Sequence, residues 1–367
     1  RTSARKSASV NIAENYHLFD GHYQNAIYRD NFACMKAAIL FLMIISPLFS
    51  TGQSKAVKWY KGNTHTHTLN SDGDSTPEAV VKWYKDNRYN FLFITDHEFI
   101  TPTESLNREF GAPGEFAVLS GQEVTDSLNK KPLHINGLGL GQVCMPNKGT
   151  TIAENLQKNI DCVRAAGGVP QINHPNFGWA LNADDLRKLE RVALLEIYNG
   201  HPLVNNLGGG GSPGAEAIWD KLLSAGMTIY GIADDDSHYF KRLGDRSAPT
   251  PGQAWIVVRA EELSTTAILS AIERGDFYAS TGVELAEINA TSKQIAVNIK
   301  EEKWSRYTIQ FIGRNGRVLK TATSNPAVYT IRGNESYVRV KVIESNGKMA
   351  WTQPVFVKSK TPAKKRQ

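Results

Sequence analysis

From Val57 to about Gly282, short apolar runs alternate with stretches of helical spacing, a rhythm that predicts repeated strand–helix units around a mainly parallel sheet. The runs at 90–95, 116–119, 133–138, 168–172, 192–198, 227–232 and 254–258 are the expected strands. Helices are expected between many of them. Thr76 ahead of Pro77 and Glu78 is an N-cap signal, and 152–166, 213–225 and 264–274 carry helical spacing. That many strands suggests a barrel, in which polar residues just after each apolar run stand at the carboxyl-terminal mouth. After Gly282 the pattern changes to alternation, as in Tyr307-Thr-Ile-Gln-Phe311 and Val338-Arg-Val-Lys-Val342, with Asn315-Gly316 and Asn346-Gly347 as hairpin turns. A small antiparallel, sandwich-like β domain over 284–358 is predicted, and it reads as a stabilising appendage to a barrel domain over 53–283.

The amino end has a different pattern. Met35-Lys36 is followed by an apolar run to Ile45 and then by small residues up to Gln53, which reads as a secretory signal peptide over 35–52. The run is well short of the roughly 20 residues a bilayer span needs, and Pro47 breaks it, so export to the periplasm or the exterior is expected rather than membrane anchoring. Residues 1–34 show no periodicity and read as a non-native or mis-assigned upstream segment; 359–367 reads as a basic disordered tail.

Composition narrows the picture further. The chain has 367 residues, 41% of them hydrophobic and 21% charged, which is ordinary for a globular protein and excludes disorder, collagen and coiled coil as the main architecture. The net charge of +6 does not spread over the body. Lys358, Lys360, Lys364, Lys365 and Arg366 supply +5, and residues 1–50 hold five basic against three acidic residues, leaving 51–357 at −1. Tracking a nucleic-acid backbone normally needs clustered Lys and Arg, so that class of partner is not favoured. Cys144 and Cys162 either pair, if the protein is exported, or remain two buried thiols.

Seven histidines lie beyond the signal-like segment, and six of them end or follow an apolar run with another polar residue close by. His65 and His67 share one side of an extended segment and can reach one metal ion, though His-x-His alone is a weak signal. Asp72, in Asn-Ser-Asp-Gly, is by itself a turn residue. Asp96 and His97 follow Phe91-Leu-Phe-Ile-Thr, Glu123 follows an apolar run, His134 sits within one, and His174 ends another before Pro175. Asp236 and His238 repeat the i, i+2 geometry. Imidazole and carboxylate ligands suit zinc, manganese or iron, and eight or nine of them imply more than one ion.

In order and content, Thr64-His-Thr-His67, Thr95-Asp-His97, Glu123, His134, Asn173-His-Pro175 and Asp236-Ser-His238 resemble the motifs of the polymerase and histidinol phosphatase (PHP) superfamily of metal-dependent phosphoesterases. The resemblance spans roughly 59–282 and includes Gly275-Asp-Phe-Tyr-Ala-Ser-Thr-Gly282, similar to the domain end of stand-alone members. It implies a distorted (β/α)7 barrel holding two or three divalent ions. His65, His67, Glu123 and Asp236 would take the first ion, and Glu123, His134 and His174 the second. Asp72, His97 and His238 would take the third, so the turn reading of Asp72 gives way. Glu123, Asp236 and His238 would form the catalytic set, with a metal-bridging hydroxide attacking phosphorus. Asp72, where some members have histidine, looks like the branch acting on nucleotide-type substrates. Asp96 would support the ligands from behind.

Other signals are weaker. Asn199 and His201 follow a strand and stand as candidates to line the mouth, and Lys241 and Arg242 as candidate phosphate contacts or a solvated surface pair. Gly208–Gly211 reads as a flexible connection before a helix, and Gly137-Leu-Gly-Leu-Gly141 as strand and turn. The expected function is hydrolysis of small phosphorylated molecules such as nucleotides. The alternatives are a phosphodiesterase on nucleic-acid ends and a non-catalytic metal-containing binding module.

Overall fold

The computed structural model describes residues 56–358. The signal-like segment, the upstream stretch and the basic tail lie outside the described residues.

The first strand, β1 (Lys58–Asn63), leads to helix α1 (Pro77–Asp86), which begins as its sequence requires: the Thr76 hydroxyl accepts from the Ala79 N–H and Pro77 fills the first turn. Strand β2 (Phe91–Ile94) is buried on both faces. Phe91 and Phe93 join Tyr60 and Leu119 in the main core, whereas Leu92 and Ile94 pack with Val80, Val81 and Tyr84 of α1 and with Leu106 of helix α2 (Thr103–Phe110). A strand covered on both sides reads as a continuous apolar run, which is why it was visible in the sequence. Leu106 is the single buried residue of α2, so that helix lacks the apolar periodicity that would have announced it.

Strand β3 (Ala117–Leu128) turns directly into β4 (Lys131–Leu138), followed by α3 (Ile152–Ala165), β5 (Val169–Ile172), the single turn α4 (Ala183–Leu186) and β6 (Leu194–Asn199). The glycine run is no flexible connection: it folds into a two-stranded ribbon, β7 (Gly208–Gly209) against β8 (Ser212–Pro213), with positive φ at Gly208 through Gly211. Helix α5 (Ala215–Ser224), strands β9 (Tyr230–Asp234) and β10 (Trp255–Ala260), helix α6 (Thr265–Arg274) and β11 (Phe277–Ser280) complete this part.

The central sheet is mixed rather than mainly parallel. β1–β2–β3 and β5–β6–β9 pair in parallel, but β3–β4–β5 and β1–β10–β11 pair antiparallel. The cause is local. Asn129 and Lys130, at φ 52 and 65, are the only residues between β3 and β4, and a two-residue turn with both central residues left-handed can join only antiparallel strands. Asn-Lys is not the Asn-Gly pair that signals such a hairpin.

After Gly282 all pairing is antiparallel. β12 (Leu285–Ala290), β13 (Gln294–Ile299) and β16 (Ala327–Thr330) form one sheet. β14 (Tyr307–Gly313), β15 (Arg317–Ala322), β17 (Tyr337–Glu344) and β18 (Met349–Thr352) extend the central sheet through β11, with β19 (Val355–Phe356) pairing to β17. Asn346-Gly347 does turn β17 into β18, and Asn315 lies at φ 60 between β14 and β15. Two further ties reach the first part of the chain. The Gln353 amide exchanges two hydrogen bonds with the Gly231 backbone, at 2.8 and 2.9 Å. Fully buried Arg339 binds Asp220 through two nitrogens, at 2.8 and 2.6 Å, and Glu216 at 2.8 Å, both acids on α5.

Cys144 and Cys162 are disulfide-bonded, linking the segment after β4 to α3 across a separation of 18 residues. Closing a loop of that size removes denatured-state entropy worth about 3 kcal/mol. Cys144→Ser, or reduction of the parent, should therefore lower the urea midpoint by a corresponding amount. An unchanged midpoint under dithiothreitol would show that the bridge contributes nothing.

Candidate metal centre

Main-chain pairing continues past the ends of three strands, β1, β2 and β9, and this positions the side chains. Thr66 bridges Ser237 in parallel, the His67 N–H donates to the Ser237 carbonyl at 2.9 Å, and the Thr95 N–H donates to the Thr66 carbonyl at 3.0 Å. His97 bridges Glu123, whose N–H reaches the Asp96 carbonyl at 3.2 Å. The extensions of β1, β2 and β9 and the middle of β3 are thereby held side by side. Alternation then sends Thr66 to one side, where its hydroxyl meets that of Ser237 at 2.6 Å, and His65 and His67 to the other. Two of the residues brought here, His174 and Asp236, have φ of 23 and 47, backbone strain of the kind that collects at functional sites.

The nine expected ligands converge. Both oxygens of the buried Glu123 carboxylate are engaged, each by a different set of imidazoles. Oε1 lies 3.1 Å from His134 Nδ1 and 3.4 Å from His174 Nε2. Oε2 lies 3.3 Å from His65 Nε2, 3.4 Å from His67 Nε2 and 3.2 Å from His97 Nδ1. Asp236 Oδ1 stands 3.2 Å from both His65 Nε2 and His67 Nε2. Asp72, on the exposed turn after β1, places its oxygens 3.4 Å from His97 Nε2 and 3.4 Å from His238 Nε2. His67 also turns Nδ1 toward Asp72 Oδ1, at 3.6 Å, so four residues rather than three surround that third position.

The donor set fits divalent ions. His65 Nε2 and His67 Nε2 are buried and make no hydrogen bond, although carboxylate oxygens stand close by. Donors at about 2.0–2.1 Å from a tetrahedral ion are about 3.3–3.4 Å apart, which is the spacing of these nitrogens and oxygens. Electrostatics agree. Burial opposes a charged His65, yet Asp236, Glu123 and Glu196 outweigh it and hold its pKa well above the usual imidazole value. His97 is likewise raised to about 9 against its burial, by Glu123 and Asp72. Burial and then the charge of His238 push His67 down to about 4. Burial opposes the ionised forms of Glu123 and Asp236, but the imidazoles around them keep both well below the ordinary carboxylate range. The concentrated negative charge that draws protons onto His65 and His97 is charge that bound cations would neutralise.

Behind the ligands stands a supporting layer, of which the sequence pointed to Asp96 but not to Glu196. Glu196, in the apolar run of β6, lies 2.7 Å from His65 Nδ1 and accepts from the His174 N–H at 2.5 Å and from Asn199 Nδ2 at 2.9 Å. A bond from Nδ1–H to Glu196 fixes the His65 tautomer and leaves Nε2 free to ligate. It also marks the grouping of His65, Glu196 and Asp234 as support rather than a further ion site. A charged residue inside Leu194-Leu195-Glu-Ile197 was the available signal. Asp234 accepts from Gln171 at 2.9 Å and Thr64 at 3.1 Å; burial and the nearby Glu196 push its carboxyl well above the ordinary range. Asp235 accepts from the N–H groups of Gly252, Gln253 and Ala254, which is a structural task. Asn173 donates to Glu123 Oε1 at 2.8 Å. Asp96 accepts from the Thr68 N–H and hydroxyl, Ser71 and Thr101, and so anchors the turn that carries Asp72.

The mouth is a cavity of about 180 Å³ lined by Phe177 and His201 in addition to seven of the nine ligands. The remaining candidates fall differently. Asn199 is buried and bonds Glu196 and Asp236, a positioning role. Lys241 and Arg242 are not in the cavity lining. Arg242 pairs with Asp245 and lies over Tyr239, while the Lys241 N–H and the Phe240 N–H are held by Asp74. Burial lowers the pKa of His201 below the usual imidazole value.

No protein-family model matches the chain, and no curated protein matches it. The chain resembles PHP-like phosphoesterases among solved structures. A two-domain protein of Bacteroides vulgatus containing a predicted PHP-like metal-dependent phosphoesterase has 14% identity and a TM-score of 0.47, covering 82% of this chain and 96% of its own. An amidohydrolase of Chromobacterium violaceum, with bound sulfate and no metal, has 17% identity and a TM-score of 0.35 over 49% of this chain and 88% of its own. A candidate metal-dependent phosphoesterase of Bifidobacterium adolescentis has 15% identity and a TM-score of 0.34, over 52% and 89%.

Proposed function

We propose that this chain is a metal-dependent phosphoesterase of the PHP type, built on a distorted barrel and acting on small phosphorylated molecules. The observation that carries this reading is the convergence of nine imidazole and carboxylate ligands, seven of them lining one cavity, with the two oxygens of Glu123 turned to different imidazole sets. When bound, divalent zinc, manganese or iron ions supply activation of water and neutralisation of phosphoryl charge, which removes the need for a protein nucleophile. His65, His67, Glu123 and Asp236 would hold one ion, Glu123, His134 and His174 a second, and Asp72, His97, His238 and the far side of His67 a third. Glu196 holds the His65 tautomer, Asn173 and Asn199 orient Glu123 and Asp236, and Asp96 holds the turn bearing Asp72. The Cys144–Cys162 bridge supports an exported protein in an oxidising compartment. No helix among the described residues is long and apolar enough to cross a membrane.

Elemental analysis of protein purified with metal present should give two or three equivalents of ions per chain, and EDTA should abolish phosphate release from a panel of nucleotides and sugar phosphates. His174→Ala should lose about one equivalent. Metal content unaffected by His65→Ala and His174→Ala, or no phosphate release from any metal-loaded sample, would refute the reading.

A further inference from the structure

The mouth is lined by ligand side chains together with Phe177 and His201. Among the exposed large apolar side chains, Leu69, Phe99, Trp179 and Leu243 lie on segments that follow the ligand-bearing strands β1, β2, β5 and β9, and Leu203 and Leu207 lie on the segment after β6. The segments after β5 and β6 are one unit, because Asn176 Nδ2 donates to the carbonyls of Asn205 and Pro213, at 2.9 and 3.0 Å. From that unit Phe177 lines the cavity, its ring 5.3 Å from that of His174 and 6.0 Å from that of His201. Trp179, two residues on, is 39% exposed and has φ 55, following Gly178 at φ 57. A left-handed backbone at a bulky residue is costly, and here the cost holds an indole in solvent beside the ribbon glycine Gly209.

His201 adds a polar element of defined sense. The Leu203 N–H donates to His201 Nδ1 at 3.1 Å, so the neutral ring carries its proton on Nε2 and presents a donor. The His201 N–H is itself held by Asn199 Oδ1 at 2.8 Å, which sets the start of the segment.

We propose that Phe177, Trp179 and His201 form a subsite for the organic group of the substrate, with the two aromatic side chains taking a planar aromatic group and His201 Nε2–H donating to an oxygen of the ester. The proposal rests on the phosphoesterase reading and narrows its substrates to aryl or heteroaryl phosphoesters. A cavity of about 180 Å³ accommodates the phosphoryl end, and the organic group must then lie along the rim. Planar groups are favoured there because aromatic pairs gain from edge-to-face and offset contacts beyond the area they bury.

The test compares two non-hydrolysable probes, phenylphosphonate and methylphosphonate, by calorimetry on metal-loaded protein. The parent should bind phenylphosphonate about tenfold more tightly, from burial and edge contacts of one ring. Trp179→Ala and Phe177→Ala should each bring that ratio toward one, with circular dichroism unchanged. His201→Ala should weaken both probes several-fold, and His201→Gln, which keeps a donor, should recover part of the loss. Equal affinities in the parent, or a ratio untouched in both aromatic variants, overturn the subsite while leaving phosphate release from other esters intact. Failure of both probes to bind, together with no phosphate release from any ester, overturns the phosphoesterase reading beneath it.

Discussion

Glu123→Gln should lose on the order of 100-fold or more in phosphate release and at least one equivalent of bound metal, while keeping its circular dichroism spectrum. The substitution preserves volume and removes charge. Supporting residues around metal sites are commonly worth about 10–100-fold, and a carboxylate that serves two ions should exceed that range. The geometry isolates this residue: Oε1 faces His134 and His174, while Oε2 faces His65, His67 and His97. Among the imidazoles, only His67 and His97 reach both Glu123 Oε2 and Asp72. His238→Ala, which touches the third position through Asp72, should leave the first two ions bound and retain more activity. Near-parent turnover with a full complement of metal in Glu123→Gln would overturn the bridging assignment and the mechanism built on it.

Asp220→Ala should destabilise the protein by about 3–5 kcal/mol, the range seen when one partner of a buried ion pair is removed. Asp220 receives two bonds from Arg339 and one from the Tyr337 hydroxyl at 2.7 Å, and Arg339 is fully buried over the Trp219 ring. Without Asp220, Arg339 retains Glu216, already shared with Lys341. The exposed pair Lys82–Asp86 provides the contrast, since Lys82→Ala should leave the urea midpoint in place. A Asp220→Ala midpoint equal to the parent's would mean that β17 and α5 are not energetically coupled. If the variant does not fold, Asp220→Asn keeps the bonding shape and should give a smaller, measurable loss.

Most of the candidate ligands were legible because they follow an apolar run, and strand ends must place their next polar residues together at one edge of the sheet, whereas Asp72 in its turn and His134 inside β4 were legible only through the motif resemblance. What escaped was information carried by pairing rather than by pattern. The Asn129-Lys130 turn makes β3 and β4 antiparallel without the usual glycine, so the expectation of a mainly parallel sheet failed there. Helix α2 buries too little to show a period. Glu196 was passed over because its neighbours are apolar and its partners, His65 and the His174 backbone, are 131 and 22 residues away in sequence. Lys241 and Arg242 have the composition of a phosphate contact, yet Asp245, three residues beyond Arg242, draws that guanidinium away. Such local competition is not visible in residue type.

The pairing of Thr66 with Ser237 joins positions 171 residues apart, and His65, His67 and Asp236 are its immediate neighbours. An ion held by those three residues is therefore a clasp across most of the folded chain. It cannot form until every intervening strand has taken its place, so it offers little to the early, sparsely paired stages of folding. Its whole effect falls on the return path, where the clasp must open before the ends of β1 and β9 can part. Metal loading should accordingly lengthen the lifetime of the native state far more than it hastens arrival there.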